Sequence, residues 1–261
     1  LKLESDADAV VFDLSNTTGV TLVEAILQDT DDLTIDKMTA GQSVKVTTAV
    51  TTTSSGILEA KLADSSGSAD TMTFELKAPS DTNDIDDGLL LKTTDIETVT
   101  VKVSTVAESI SLANLSMATA DETMSLVVTG DQALTVSALN ADVTSIDASG
   151  MGEGGSIVQT ARDSVAVATY TGTDGDDTFQ MKNADDTIVG GAGTGDKLVI
   201  TKNLLLGGIK VDLTKTADVL TTFNGASSTS VQSGFEDVDL SNITGSFGAE
   251  ITAIKGGSTI T

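Results

Sequence analysis

Carboxylate, hydroxyl and carbonyl oxygen are the ligating atoms of this chain, which has 39 Asp and Glu but no His and no Cys. They are most ordered in residues 172–198, which read GTDGDDTFQ, MKNADDTIV and GGAGTGDKL. These are three consecutive nine-residue units, in phase until one extra residue in the third. In the first, Gly172, Gly175, Asp177 and Phe179 fit the repeating pattern G-G-x-G-x-D-x-U-x, where U is a large apolar residue. In the second, Asp186 and Ile188 hold the aspartate and apolar positions, while Met181, Lys182 and Ala184 replace the glycines. In the third, Gly190, Gly191 and Gly193 fit, Gly195 takes the aspartate's place, and Asp196 follows one residue late, before Leu198.

The chemistry implied is capture of a hard divalent cation. A six-residue glycine-rich turn can curl tightly, so that backbone carbonyls and one carboxylate face a common ion, and Ca²⁺ takes such oxygen ligands. The remaining three residues form a short strand with the apolar residue inward. Two units complete one coil of a parallel β-roll, so the first and third units stack on one side. The expected ligand set is Gly172, Asp174, Gly175, Asp177, Asp186, Gly190, Gly193 and Asp196. One Ca²⁺ is expected between Asp177, with its turn carbonyls, and the 190–196 turn. The middle unit, with Asp186, needs a partner on the opposite side. That is either the turn before Gly172, where Arg162 and Asp163 fit poorly, or the segment after Thr201. The alternative is that all these are ordinary Gly/Asp turns between strands.

Positioning such turns requires short strands, and the sequence supplies them. Alternating Val, Ile, Leu, Thr and Ser read as strands at 97–103, 109–112, 124–129, 133–137, 142–147 and 164–170. Their spacing of roughly 8 to 14 residues suits a sandwich or a solenoid rather than an α/β fold. Residues 20–28 fit either a short helix or a pair of strand residues with a turn, and 47–56 fit an exposed loop or a weak strand. PSDTNDIDDG, from Pro79 to Gly88, combines turn formers and carboxylates and is the best candidate boundary. The expected fold is all-β, a β-solenoid or parallel β-roll over 89–261, with 1–88 a β-rich unit of solenoid or sandwich type. Lys255 to Thr261 fits either the opening of another unit, as in an excerpt of a longer protein, or a terminal strand after a Gly-Gly turn.

Composition narrows the function. The net charge of −25 disfavours nucleic acid and anionic lipid surfaces and favours divalent cations as partners. Without His or Cys, triad, thiol and common zinc chemistry are excluded. Apolar runs are too short to span a membrane. Asp29, Asp31 and Asp32, like Asp81, Asp84, Asp86 and Asp87, lack EF-hand spacing and read as solvated turns, and no enzyme activity is expected.

Three features resemble RTX proteins, and within them the RTX-type S-layer proteins of Gram-negative bacteria. They are the nonapeptides of 172–198, the phrases DIETVTV (95–101) and GFEDVDLSNI (234–243), and the Thr/Ser/Ala-rich run at 125–150. The resemblance covers roughly residues 90–261; residues 1–88 match only in style. It implies a Ca²⁺-dependent β-solenoid, exported by type I secretion, folded on meeting calcium outside the cell, and self-assembled into a surface layer or filament. Surface polysaccharide is a further partner to consider. The alternative function is a calcium-stiffened stalk or adhesive module of a large RTX adhesin. Carboxylates that repel one another where calcium is scarce would hold the chain unfolded, and binding outside would supply folding free energy.

Overall fold

The computed structural model describes residues 1–5, 9–27, 32–47, 56–77, 89–104, 123–162, 166–254 and 257–261, together with the backbone of 110–117. Its strands are β1 (Lys2–Glu4), β2 (Ala9–Asp13), β3 (Leu22–Ile26), β4 (Asp32–Met38), β5 (Ser43–Val46), β6 (Ile57–Leu62), β7 (Thr71–Leu76), β8 (Leu90–Thr93), β9 (Thr98–Val103), β10 (Ile110–Met117), β11 (Met124–Gly130), β12 (Leu134–Leu139) and β13 (Val143–Met151). They continue with β14 (Ile157–Gln159), β15 (Thr169–Thr171), β16 (Thr178–Met181), β17 (Thr187–Val189), β18 (Lys197–Ile200), β19 (Lys202–Leu204), β20 (Ile209–Asp212), β21 (Leu220–Phe223), β22 (Ala226–Ser227), β23 (Gln232–Ser233), β24 (Asp237–Asp239), β25 (Ile243–Gly245) and β26 (Ala249–Thr252).

Successive strands alternate between two sheets. The odd strands β1 to β17, followed by β23, form one ten-stranded sheet, and the even strands β2 to β18, followed by β24, form the other. Every pairing within both sheets is parallel, as in Phe74 opposite Val101 and Phe179 opposite Leu198. This is the parallel β-roll expected from the sequence. Each coil contributes one strand to each sheet, and the aliphatic core lies between them.

The strands form because apolar residues recur at period two, which puts them on one face. In β7, Met72, Phe74 and Leu76 are buried while Thr71, Thr73 and Glu75 point outward. Burying each large aliphatic side chain contributes about 1.5–3 kcal/mol. The same rule decides the ambiguous stretch near residue 20: Val23, Ala25 and Leu27 are buried on alternate positions, so Leu22–Ile26 is a strand. A helical reading is available there only because Val20, Val23 and Leu27 also stand three and four apart.

Most of the other expected strands lie close to where the alternation places them. The 164–170 stretch is a strand only from Thr169, and residues 163–165 lie outside the described residues. Most of 47–56, the Pro79 to Gly88 boundary and its acidic cluster, and Asp29 and Asp31 also lie outside them. On either side of the boundary the sheets continue, with β6 paired to β8 and β7 to β9. Asp32 opens β4, and its Oδ1 accepts the Ile57 amide of the next coil at 3.0 Å.

Coil length is shortest where the nonapeptides lie. Thr169 pairs with Thr187, eighteen positions on, and Thr178 with Lys197, nineteen on. Two nine-residue units therefore make one coil, and the extra residue of the third unit is absorbed in its turn. Beyond β18 the chain leaves the roll. It forms β19 to β22 before rejoining at β23, so Ile188 pairs with Gln232, forty-four positions on. This excursion packs with the segment after β24: β19 pairs with β25, and β22, β21, β20 and β26 form a four-stranded sheet. Ile260 then bridges to Val238, extending the second sheet in parallel. No helix is long and apolar enough to cross a membrane.

Candidate metal centre

Turns at the two edges of the roll stack into two columns. On one edge lie residues 152–156, 172–177, 190–196 and 234–236, each leading from the first sheet into the second. The first and third nonapeptide turns are thus neighbours, as the two-units-per-coil geometry requires.

Close approach explains most of the glycines. A methyl group at Gly172 would lie 1.8 Å from the Gly190 carbonyl oxygen, and one at Gly175 would lie 2.4 Å from that of Gly155. A methyl at Gly190 would meet the Gly234 carbonyl oxygen at 2.2 Å. Each carbonyl occupies the space of the missing side chain in the turn stacked on it. Gly191 alone in the three units also needs the left-handed region, with φ of 137°.

Carboxylates thread this column in sequence. Asp177 is fully buried; its Oδ1 accepts the Ile157 amide at 2.5 Å, and its Oδ2 accepts the Thr173 amide at 2.6 Å and the Thr173 hydroxyl at 2.9 Å. The Asp177 amide donates to Oδ1 of Asp196 at 2.8 Å, and the Asp196 amide donates to Oε2 of Glu236 at 3.1 Å. Each acidic side chain thus holds an amide of the preceding turn. Asp176, exposed beside them, accepts the Thr194 and Gly195 amides through Oδ1 at 3.1 and 2.9 Å. Asp174 is exposed in the same turn.

Asp196 differs from its neighbours in one atom. Its side chain is fully buried, yet Oδ2 has no hydrogen-bond partner. An unmatched buried carboxylate oxygen is costly and calls for a proton or a cation. The Asp196 carboxyl is raised to about 7, chiefly by burial and further by the charges of Asp177, Glu236 and Asp176, against the hydrogen bond from the Asp177 amide. Burial also raises Asp177, against the hydrogen bonds from Thr173 and Ile157, with a further push from Asp176. The column concentrates negative charge where water is excluded.

These residues fit a divalent cation in one respect and limit it in another. The partnerless oxygen and the carbonyl-lined turns are the donors a hard cation takes. Among the described residues no three acidic side chains form a ready cluster. A cation here would take one or two carboxylates and complete its shell from carbonyls and water.

The opposite edge is built differently. Asp186 is fully buried, and its Oδ2 meets Arg162 Nη2 at 2.5 Å, the Lys182 amide at 3.1 Å and the Asn183 amide at 2.9 Å. Its Oδ1 accepts the Ala168 amide at 2.8 Å. Arg162 is itself buried over the Tyr170 ring, 5.8 Å from its centroid, and its carbonyl accepts from Lys182 Nζ. The chain's own guanidinium neutralises Asp186, so neither oxygen is free for a metal ion. The residue that fits a calcium turn poorly supplies the counter-cation.

Of the residues expected at the site, Gly172, Gly175, Asp177, Gly190, Gly193 and Asp196 are brought together; Asp174 points to solvent, and Asp186 lies on the other edge. Sequence reasoning missed Asp176 and Glu236. The GFEDV phrase that carries Glu236 is visible in the sequence, but its partner Asp196 stands 40 positions earlier, across the excursion. Comparisons with known protein families, with characterised proteins and with solved structures return no match for this chain.

Proposed function

We propose that this chain is a structural, extracellular protein: a calcium-dependent subunit that self-assembles into a surface layer or filament on the exterior of a Gram-negative bacterium. The observation that carries the calcium reading is the buried, partnerless Oδ2 of Asp196, set among stacked glycine turns beside Asp176, Asp177 and Glu236. Ca²⁺ would be held by Asp196 with carbonyls of the 172–177 and 190–196 turns, and Asp176 or Glu236 would complete its charge. Bound there, the ion would relieve the repulsion that burial imposes on these carboxylates and tie three coils together.

The structural role is supported by the architecture. A roll of parallel coils with a continuous aliphatic core is a rod, stiff along its stack, that adds length coil by coil. The resemblance of the nonapeptides and the GFEDV phrase to RTX surface-layer proteins supports the location and the assembly. Linkage then couples folding to place: calcium binding outside the cell supplies free energy that the cytoplasm, poor in calcium, withholds.

Electron microscopy of the purified chain in millimolar calcium and in chelator tests the proposal. Ordered sheets or fibres that vanish on chelation are expected. Folded monomers under both conditions would overturn the assembly reading and turn attention to an adhesin stalk.

A further inference from the structure

The excursion from the roll carries an exposed apolar knob. Leu205 is 66% exposed and Leu206 80% exposed in the turn between β19 and β20. The turn is pinned, since both amides donate to Asn224 Oδ1 at 3.0 Å. The register on either side, Leu204 opposite Gly245 and Ile209 opposite Ala249, brings Phe247 alongside, 46% exposed. Such a fixed group of bulky apolar side chains marks a contact surface.

The segments that carry it are free of charge in a chain of net charge −25, and are bordered by Lys202 and by the Lys210–Glu250 ion pair. Residues 203–209, 219–235 and 240–249 contain no Asp, Glu, Lys or Arg. Two copies of so acidic a protein repel one another over most of their surfaces, and the knob brings no carboxylate of its own to a contact between copies.

At the far end of β20 the same excursion opens a cavity of about 660 Å³, with Leu213, Phe235 and Ile254 in its wall and Lys215 and Glu236 also lining it. The knob precedes β20 and the cavity follows it, so the two lie at opposite ends of one strand, about 13 Å apart at roughly 3.3 Å per residue. A projection and a recess on one chain that cannot meet within it are the elements of a head-to-tail contact that repeats from copy to copy.

We propose that the Leu205–Leu206 turn of one copy seats in the Leu213–Phe235–Ile254 cavity of the next, and that this contact is the one through which subunits assemble. The inference rests on the self-assembly reading above and names its surface. The cavity borders the metal centre, because Gly191, Gly234 and Glu236 also line it. Calcium would therefore order the receiving side of the contact.

Two variants on exposed positions test it: Leu206→Asp, which puts a charge on the knob, and Thr216→Trp, which fills the cavity. Each is checked for fold by circular dichroism and for calcium-induced stabilisation, then studied by sedimentation velocity in millimolar calcium. Wild type is expected to form large species, each variant alone to remain monomeric, and an equimolar mixture to form a two-chain species, because one variant retains the cavity and the other the knob. Variants that assemble like wild type, or a mixture that stays monomeric, overturn this contact while leaving self-assembly standing. A wild type that never associates overturns the self-assembly reading itself.

Discussion

The amide of Asp177 donates to Oδ1 of Asp196 at 2.8 Å, and the other oxygen of Asp196 is buried with no partner. On the opposite edge of the same coils Arg162 meets Asp186 at 2.5 Å, and no oxygen is left over. Both edges place an aspartate at the end of a turn, directly before the strand that follows it. One edge supplies its cation from the chain, and the other leaves a buried carboxylate oxygen without a hydrogen-bond partner.

Arg162→Met should therefore destabilise the protein by about 3–5 kcal/mol, because it strands a buried carboxylate. The loss should be the same in calcium and in chelator. Urea denaturation of wild type and variant under both conditions checks this. A loss that calcium restores would place a metal ion at Asp186 after all.

Stability of the metal-free protein should fall as pH rises from about 4 to about 7. Burial, with the charges of Asp177, Glu236 and Asp176, raises the folded-state value of Asp196 to about 7, above that of the unfolded chain, so the folded state binds the proton more tightly. That contribution is complete below about pH 4 and is lost as pH climbs through the raised value. Asp177 shifts in the same direction. Asp13, Asp64 and Asp212 are lowered by hydrogen bonds from Ser15, Ser66 and Thr214, so they titrate below this window. Melting in chelator at pH 5 and pH 8 should show the higher Tm at pH 5, and Asp196→Asn should flatten the difference. Equal Tm values for wild type would contradict it.

Gly172→Ala should cost about 1–3 kcal/mol or more, since its methyl group meets a backbone carbonyl that cannot move without parting the coils. Gly248→Ala is the control, because nothing lies within 4 Å of the added methyl and φ is ordinary. Thermal melting of the two variants should separate them clearly. Equal effects would mean that the turns are not stacked as described.

Phe179→Ala removes a fully buried ring that stacks on Tyr170 with centroids 5.6 Å apart and should cost about 3–5 kcal/mol. Proteolysis should then open the 170–200 coils before the N-terminal ones. Uniform cleavage along the chain would show instead that the roll unfolds as one unit.

Much of the roll is legible in the sequence because strand alternation is local. Met72, Phe74 and Leu76 announce a buried face by themselves, and the nine-residue phase of Asp177 and Asp186 fixes which turns stack. The helical option near Val23 arose because a five-residue strand is too short to separate a period of two from one of 3.6. What stayed hidden is set by distance along the chain. Arg162 reaches Asp186 across 24 positions, and Glu236 reaches the Asp196 amide only after the excursion closes. The excursion itself is masked because its Gly and Ser turns resemble those of the coils, although its strands β20 to β22 pair antiparallel.

Calorimetric titration of calcium into wild type and Asp196→Asn at pH 7.5 tests the candidate metal centre most directly. Wild type should bind calcium with a matching rise in Tm. Asp196→Asn should fold, lose that binding and gain stability in chelator, because its neutral amide needs no counter-cation. Wild type that neither binds nor is stabilised, or a variant that binds as tightly as wild type, would contradict a cation site at Asp196.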